Sequence, residues 1–283
     1  MQDDQGDKRI PAYQGRPLAR PGDELADQGL SFDLGTMMGR RQVLRVFGLG
    51  AATLGLAACS DSSGSSAPSR SASVTASGEI PDETAGPYPG DGSNGPDVLE
   101  QSGVVRSDIR SSLGDAGGTA EGVPMTLELT LKDLAGGGNA FAGVAVYVWH
   151  CDREGRYSLY SDGVTGENYL RGVQIADAAG KVSFTSIFPA CYSGRWPHIH
   201  FEVYPTLASS TSVANKLATS QIALPKAAND LVYATSGYGS SASNASQISL
   251  ASDNVFSDGA TLELATVTGS VSTGLVASLT VAV

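Results

Sequence analysis

The sequence predicts an all-β protein with an antiparallel β-sandwich core and long loops between the strands. Short runs of alternating apolar and polar residues recur along the C-terminal part of the 283-residue chain, as in strands with one buried face. Clusters of Gly, Asp, Asn and Ser separate these runs, and the sequence shows no long amphipathic helix and no internal repeat. Short strands at this spacing are typical of two packed antiparallel sheets.

Six runs carry the strand pattern, and they lie at 127–131, 144–149, 181–187, 198–204, 261–266 and 275–281. The intervening segments 133–139 and 177–180 are rich in Asp and Gly and predict turns. A short helix is compatible with residues 213–217. Residues 79–283 are long enough to form one domain with its own hydrophobic core.

The segment 39–59 has the features of an export signal. It opens on Arg40-Arg41, continues with an apolar run over 46–58, and ends in Leu-Ala-Ala before Cys59. The run is shorter than the roughly 20 residues of a membrane span. Twin arginines, a short apolar stretch and small residues before a cysteine resemble a bacterial twin-arginine signal with a lipoprotein cleavage site. We therefore expect an exported protein, anchored to the outer face of the cell membrane by a lipid on Cys59.

The segments on either side of this signal differ from a folded domain. Residues 60–78 are rich in Ser, Ala and Gly and predict a flexible linker. Residues 1–38 form a polar extension without apolar periodicity, which we expect to be disordered. Since an export signal normally lies close to the start of a protein, Met37 and Met38 are alternatives to Met1 as the first residue.

The charge balance excludes one class of partner. The chain carries 18 Lys and Arg against 29 Asp and Glu, for a net charge of −11. Binding to nucleic acid needs a basic surface that neutralises phosphates, so we expect no nucleic-acid partner.

The chain has three cysteines, and Cys59 is the predicted lipidation site. Cys151 and Cys191 then form an even pair in a protein expected to reach an oxidising compartment. We therefore predict a Cys151–Cys191 disulfide, which would contribute about 4 kcal/mol by constraining the unfolded chain. The alternative is a pair of buried free thiols.

Two of the three histidines, His198 and His200, lie one residue apart in the run 198–204. In a strand their side chains point to the same face, about 7 Å apart, and can meet at one metal ion. Tyr192 and Arg195 lie just upstream. Imidazoles combined with phenolates suit a hard, oxidised transition metal better than zinc. The alternatives are two buried, hydrogen-bonded imidazoles or an exposed face without a role.

Three stretches together resemble a known family. The first is Glu-Thr-Ala-Gly-Pro-Tyr at 83–88, followed by Arg-Ser-Asp-Ile-Arg at 106–110. The second is Val-Trp-His-Cys-Asp-Arg-Glu-Gly-Arg-Tyr-Ser at 148–158, and the third is the segment 192–201. In this order they resemble the intradiol ring-cleavage dioxygenases, the family of catechol and protocatechuate dioxygenases, and in particular their secreted bacterial members.

The resemblance implies a β-sandwich whose loops form a mononuclear non-haem Fe(III) site. By motif, the metal ligands are Tyr157, Tyr192, His198 and His200. Tyr192 also takes the role of the tyrosinate that leaves the iron and acts as a base, and Arg195 matches the active-site arginine. The implied reaction joins O₂ to a catechol and cleaves the ring between the two hydroxyl-bearing carbons, which gives a cis,cis-muconate-type diacid.

Some alternatives stay open at this point. By position alone Tyr160 is as good a ligand as Tyr157, and only the motif selects Tyr157. His150 is interpreted as a structural residue at the end of a strand. A non-catalytic extracellular metal-binding module and a copper oxidase are the competing functions. The sequence does not select one catechol, and it is compatible with a homo-oligomer.

Overall fold

The computed structural model describes residues 12–13, 16–17 and 78–283 and divides into two units, Met1–Thr75 and Ala76–Val283. In the first unit, β1 (Ala12–Tyr13) pairs with β2 (Arg16–Pro17) in antiparallel fashion. The predicted export segment 39–59 with Cys59 lies outside the described residues, as does nearly all of the predicted linker. Among the helices that are described, none has both the length and the apolar character that crossing a membrane requires.

The second unit consists mainly of strands and long loops. Its strands are β3 (Pro124–Asp133), β4 (Asn139–Ala140), β5 (Ala145–Trp149), β6 (Arg171–Ile175), β7 (Lys181–Ile187), β8 (His198–Tyr204), β9 (Ala218–Ala223), β10 (Thr266–Ser270) and β11 (Gly274–Ala282). Two helices follow β9, α1 (Lys226–Tyr233) and α2 (Ser241–Ala245), and short 3₁₀ turns lie at Ala208–Thr211, Val213–Asn215 and Phe256–Asp258.

The strands form two sheets. One has the order β10-β11-β3, with β4 and β7 on the far side of β3. The other has the order β6-β5-β8-β9 and is antiparallel throughout. Alternate residues of β3, such as Leu127 and Leu129, share one buried cluster with Val148, Ile199 and Phe201 of the second sheet. The sheets therefore pack face to face, which confirms the predicted all-β sandwich.

The outer face of the second sheet is also covered. Trp149 and Tyr147 on β5 belong to a second buried cluster, formed with loop residues such as Val98, Val104 and Tyr157. Consequently all seven residues of β8 are buried, and so are all five of β5. The predicted metal-ligating face of β8 lies under this layer of loops.

The sequence predictions differ from the structure in several details, and strands β6 and β9 were not predicted. Because β11 runs parallel to β3, the first sheet is mixed rather than antiparallel. Of the run 261–266 only Thr266 lies in a strand, as the first residue of β10, since the Ala260 carbonyl accepts hydrogen bonds from the amides of Glu263 and Leu264 and closes a turn before it. Helices α1 and α2 were not predicted, and the segment 213–217 forms a single 3₁₀ turn at Val213–Asn215.

The predicted disulfide is wrong for this structure, in which Cys151 and Cys191 are free, buried thiols. The two sulfurs are directed at different backbone carbonyls. Cys151 Sγ donates to the Ala190 carbonyl at 3.7 Å, whereas Cys191 Sγ donates to the Arg195 carbonyl at 3.4 Å. Burial raises the pKa of the Cys191 thiol to about 12 and that of Cys151 further, so both remain protonated.

Glu263 makes the stability of the fold depend on pH. Its side chain is fully buried, and neither carboxylate oxygen has a hydrogen-bond partner among the described residues. Burial, reinforced by the negative charges of Glu83, Asp258 and Asp253, raises the pKa of Glu263 to about 8. The folded protein therefore holds a proton that the unfolded chain releases above its ordinary pKa of about 4.3.

We expect the free energy of unfolding to fall as the pH rises from about 4.3 to about 8 and the Glu263 contribution to level off above that. Glu263→Gln should lose this part of the slope, which urea denaturation at several pH values would measure. Glu100→Gln, at an exposed position, is the matched control and should behave like the wild type. Identical slopes for all three proteins would contradict this interpretation of Glu263.

Candidate metal centre

The structure brings the four predicted metal ligands together beneath the loop layer. His198 Nε2 lies 3.1 Å from His200 Nε2, 3.2 Å from the Tyr192 hydroxyl and 3.5 Å from the Tyr157 hydroxyl. His198, His200 and Tyr157 are almost fully buried, and Tyr192 is partly buried. Two imidazoles and two phenols thus present their donor atoms to one small volume.

The histidines owe their positions to strand β8. Because side chains alternate along a strand, His198 and His200 share the face opposite the apolar core residues Ile199 and Phe201. Trp149 pairs with His200 in the register of β5 and β8, and the two rings stack at 4.9 Å with an interplanar angle of 4°. This stacking holds the imidazole plane of His200.

The tautomer of His198 follows from one hydrogen bond. The ring nitrogen Nδ1 lies 2.5 Å from the Trp196 carbonyl, which can only accept, so Nδ1 carries the proton. The lone pair of Nε2 is therefore directed toward His200 and the two phenols. Burial, followed by the charge of Arg195, lowers the pKa of His198 well below its ordinary value and keeps the ring neutral. A neutral imidazole with a free lone pair is the form that binds metal.

Tyr157 is held by a tight loop after β5 that is organised by Asp152. The buried Asp152 carboxylate accepts hydrogen bonds at 2.9 Å from the amides of Glu154 and Arg156, and at 2.9 Å from the Tyr169 hydroxyl. The Arg156 Nε also donates to Asp152, at 2.9 Å, and compensates its charge. These bonds close the turn that directs Tyr157 into the centre.

The structure places Tyr160 away from the centre. Its hydroxyl accepts a hydrogen bond from the Gly90 amide at 2.8 Å and donates one to Asn94 Oδ1 at 2.7 Å. His150 is likewise outside the centre, because its Nδ1 donates to the Cys151 carbonyl at 2.8 Å and its Nε2 lies 2.7 Å from Ser186 Oγ. Of the alternatives that the sequence left open, only Tyr157 lies with the histidines.

Two glycines allow the loops to approach the centre closely. Gly155 has φ +88°, and a Cβ there would lie 3.2 Å from Tyr192 Cβ, so the loops bearing the two tyrosines meet at this glycine. Gly86 has φ +68°, and its Cβ would lie 3.3 Å from His200 Cε1. The segment 83–88, the first of the motif stretches, therefore passes directly over the His200 ring.

Arg195 lies beside the centre with 14% of its side chain exposed. Its Nε donates to Asp253 Oδ2 at 3.0 Å, and its Nη2 donates to Gln221 Oε1 at 2.6 Å. Gln221 in turn donates from Nε2 to the Thr84 carbonyl at 2.9 Å, which ties the arginine to the segment over His200. Sequence analysis found Arg195 but neither of its partners, because both are distant in the chain and occur in polar stretches without a motif.

The residues present fit a single high-valent metal ion. Four buried donors converge, and His200 Nδ1 is buried without a hydrogen-bond partner among the described residues, so His200 faces the cluster through Nε2 alone. Burial raises the pKa of Tyr192 to about 12 and that of Tyr157 further, so both phenols keep their protons until a cation binds. A strongly charged cation favours the phenolate form, and a hard ferric ion suits this mixed oxygen and nitrogen donor set.

The fold and the donor set together define a β-sandwich protein with a buried cluster of two phenols and two imidazoles, whose chemistry suits one metal ion. Residues 94–199, which include Tyr157, Tyr192 and His198, match the sequence model of the family described as dioxygenase. This match supports the predicted resemblance and the predicted enzyme class, since the region 94–199 is similar to the dioxygenase family.

The first of the following solved structures shares the fold, and the other two are more distant matches. An intradiol ring-cleavage dioxygenase from Tetranychus urticae is 23% identical with a TM-score of 0.57, over 73% of this chain and 94% of that chain. The dioxygenase domain of a carbohydrate-binding fusion protein from Streptomyces sp. SirexAA-E is 19% identical with a TM-score of 0.46, over 73% and 98% of the two chains. Catechol 1,2-dioxygenase from Pseudomonas arvilla C-1 is 20% identical with a TM-score of 0.39, over 62% and 55%.

The contact between Gly86 and His200 can be tested with alanine. Gly86→Ala should lower the free energy of unfolding by about 1 kcal/mol, because an L-residue disfavours positive φ. It should also reduce metal occupancy, since the added methyl group meets His200. Gly114→Ala is the matched control, because Gly114 has a similar φ of +65° but no atom within 4 Å of the added Cβ. Metal analysis and urea denaturation measure the two effects, and equal metal content in both variants would contradict the contact.

Proposed function

We propose that the protein is an exported non-haem Fe(III) dioxygenase that cleaves the ring of a catechol between its two hydroxyl-bearing carbons. O₂ is the second substrate, and the product is a cis,cis-muconate-type diacid. The hydroxyls of Tyr157 and Tyr192 and the Nε2 atom of His200 all lie within 3.5 Å of His198 Nε2. This convergence of four donor groups is the observation that carries the proposal. The match of residues 94–199 to the dioxygenase family supports the same conclusion.

A ferric ion bound here would hold the catechol through its oxygens and make the ring reactive toward O₂. The four donor side chains hold that ion, and the loop layer over β8 keeps bulk water away from it. His198 is fixed for this role by its hydrogen bond to the Trp196 carbonyl. Tyr157 is fixed by the turn around Asp152, since the carboxylate closes that turn through backbone amides.

Tyr192 is the residue suited to accept a proton. Its hydroxyl lies on a loop rather than on a strand, and burial raises the pKa of its phenol to about 12, against the opposing charge of Arg195. A phenolate at Tyr192 Oη would take a proton from an incoming catechol hydroxyl. The family resemblance assigns the same role to this tyrosine.

Arg195 is suited to stabilise negative charge that develops on the substrate. Its guanidinium keeps its charge in the buried site, since burial is opposed by interactions with the Tyr192 phenol and the Asp253 carboxylate and the pKa is raised. Removal of a preorganised donor of this kind typically lowers the reaction rate about 10²–10³-fold. The negative net charge of the chain does not attract an anion, so Arg195 supplies this attraction locally.

The location is part of the proposal. Twin arginines at 40–41 and Leu-Ala-Ala before Cys59 support export and a lipid anchor on that cysteine. Apart from that lipid, nothing in the proposed activity calls for a membrane or a nucleic acid. A homo-oligomer remains compatible with it.

The colour of the iron-loaded protein tests the donor set. Phenolate-to-iron charge transfer should give a visible band, and this band should shift when a catechol is added without O₂. Tyr157→Phe and His200→Ala should each lose most of the band, whereas Tyr160→Phe should keep it because Tyr160 bonds to Gly90 and Asn94 instead. A colourless wild type that binds one zinc ion would favour a non-catalytic metal-binding module.

The reaction itself is tested by O₂ uptake against a panel of catechols. We expect one O₂ consumed for each ring cleaved and a product heavier than the substrate by two oxygen atoms. Mass spectrometry of the product separates this outcome from simple oxidation of the catechol to a quinone. Quinone formation without ring cleavage would contradict the proposed reaction and favour an oxidase.

A further inference from the structure

Asp253 is a fully buried carboxylate that bonds to three separate groups of donors. Its Oδ2 accepts from Arg195 Nε at 3.0 Å and from the Trp196 amide at 2.7 Å. Its Oδ1 accepts from the amides of Val255 and Phe256, at 2.8 and 3.2 Å, and from Arg195 Nη2 at 3.4 Å. Asp253 therefore joins a distant turn of the chain to the loop that carries Tyr192.

These bonds leave one end of the guanidinium available. Nε and Nη2 of Arg195 are directed at Asp253 and Gln221. Among residues 78–283, Nη1 makes no hydrogen bond within the chain, although the side chain is mostly buried. Since a planar guanidinium held at two corners cannot rotate, the position of the third corner is set by Asp253 and Gln221.

We propose that Asp253 is a positioning residue, which holds Arg195 so that its Nη1 donors face the substrate beside the metal centre. The proposal rests on the proposed ring-cleavage function and deepens it. Asp253 does not touch the reacting atoms and acts only through Arg195. The competing explanation is that Asp253 merely fastens the turn 253–256 to the neighbouring loop.

One substitution separates these roles. In Asp253→Asn the remaining amide oxygen can still accept from Val255 and Phe256, so the turn is retained. The amide nitrogen then replaces the oxygen that faces Arg195 Nε and the Trp196 amide, and it cannot accept from either. The variant thus removes the 3.0 Å bond that holds Arg195 Nε and leaves only the longer 3.4 Å contact of Arg195 Nη2 with Oδ1, while it keeps the local turn.

The test is a double-mutant cycle with Asp253→Asn, Arg195→Ala and the double variant, all loaded with iron. In the wild-type background Asp253→Asn should lower kcat/KM by about 10- to 100-fold, as expected for a misplaced catalytic group. In the Arg195→Ala background, Asp253→Asn should lower kcat/KM by less than about 3-fold, because the two residues act as one unit. Equal losses in both backgrounds would overturn the positioning role.

A second measurement does not depend on turnover. Anaerobic titration with catechol should show weaker binding to Asp253→Asn, while the visible band of the protein before catechol is added stays unchanged. If Arg195→Ala fails to fold, Arg195→Lys serves in the same cycle, because it keeps a charge but cannot form the bidentate pair. Loss of the resting band in Asp253→Asn would overturn the proposal, since it would mean a disturbed donor set.

Asp258→Asn is the matched control, since Asp258 lies exposed in the same segment and should leave both readouts unchanged. The outcomes distinguish the two proposals. An iron-loaded wild type that does not cleave catechols contradicts the proposed function. A wild type that cleaves them, with additive losses in the cycle, contradicts only the role of Asp253.

Discussion

Strand β8 is buried along its whole length, and the rest of the structure depends on this constraint. One face fills the space between the sheets with Ile199, Phe201 and Val203. The other face carries His198 and His200, and polar groups there are tolerated only with partners. The long loops over the second sheet are therefore as essential as the core, because they supply the phenols and carbonyls that complete this face.

Two buried aspartates fix these loops in equivalent ways. Asp152 closes the turn before Tyr157 through backbone amides and Arg156, and Asp253 fastens the loop after Tyr192 through Trp196 and Arg195. In each case a buried carboxylate bonds to an arginine and to several amides, so its charge is compensated and its lone pairs are used. The loops that carry the two tyrosines are thus held in place by two aspartates that do not themselves contact the four donor atoms.

Much of this could be predicted from local pattern, and the failures have physical causes. Strands β7 and β8 were predicted to the residue, because period-two alternation is strong there. Strand β6 was missed because its first residue, Arg171, is a fully buried charge satisfied by loop carbonyls far away in sequence. The pairing of Arg195 with Asp253 spans 58 residues, and no local pattern encodes such a contact.

The neutrality of the four donor side chains has a consequence for assembly. Burial lowers the pKa of both imidazoles and raises that of both phenols, so the four side chains can meet without mutual repulsion. Folding need not wait for a cation to screen like charges, in contrast to small zinc domains that are unfolded without metal. On the proposed function, chain collapse would come first and metal binding second, with the phenolic protons released to solvent at the second stage.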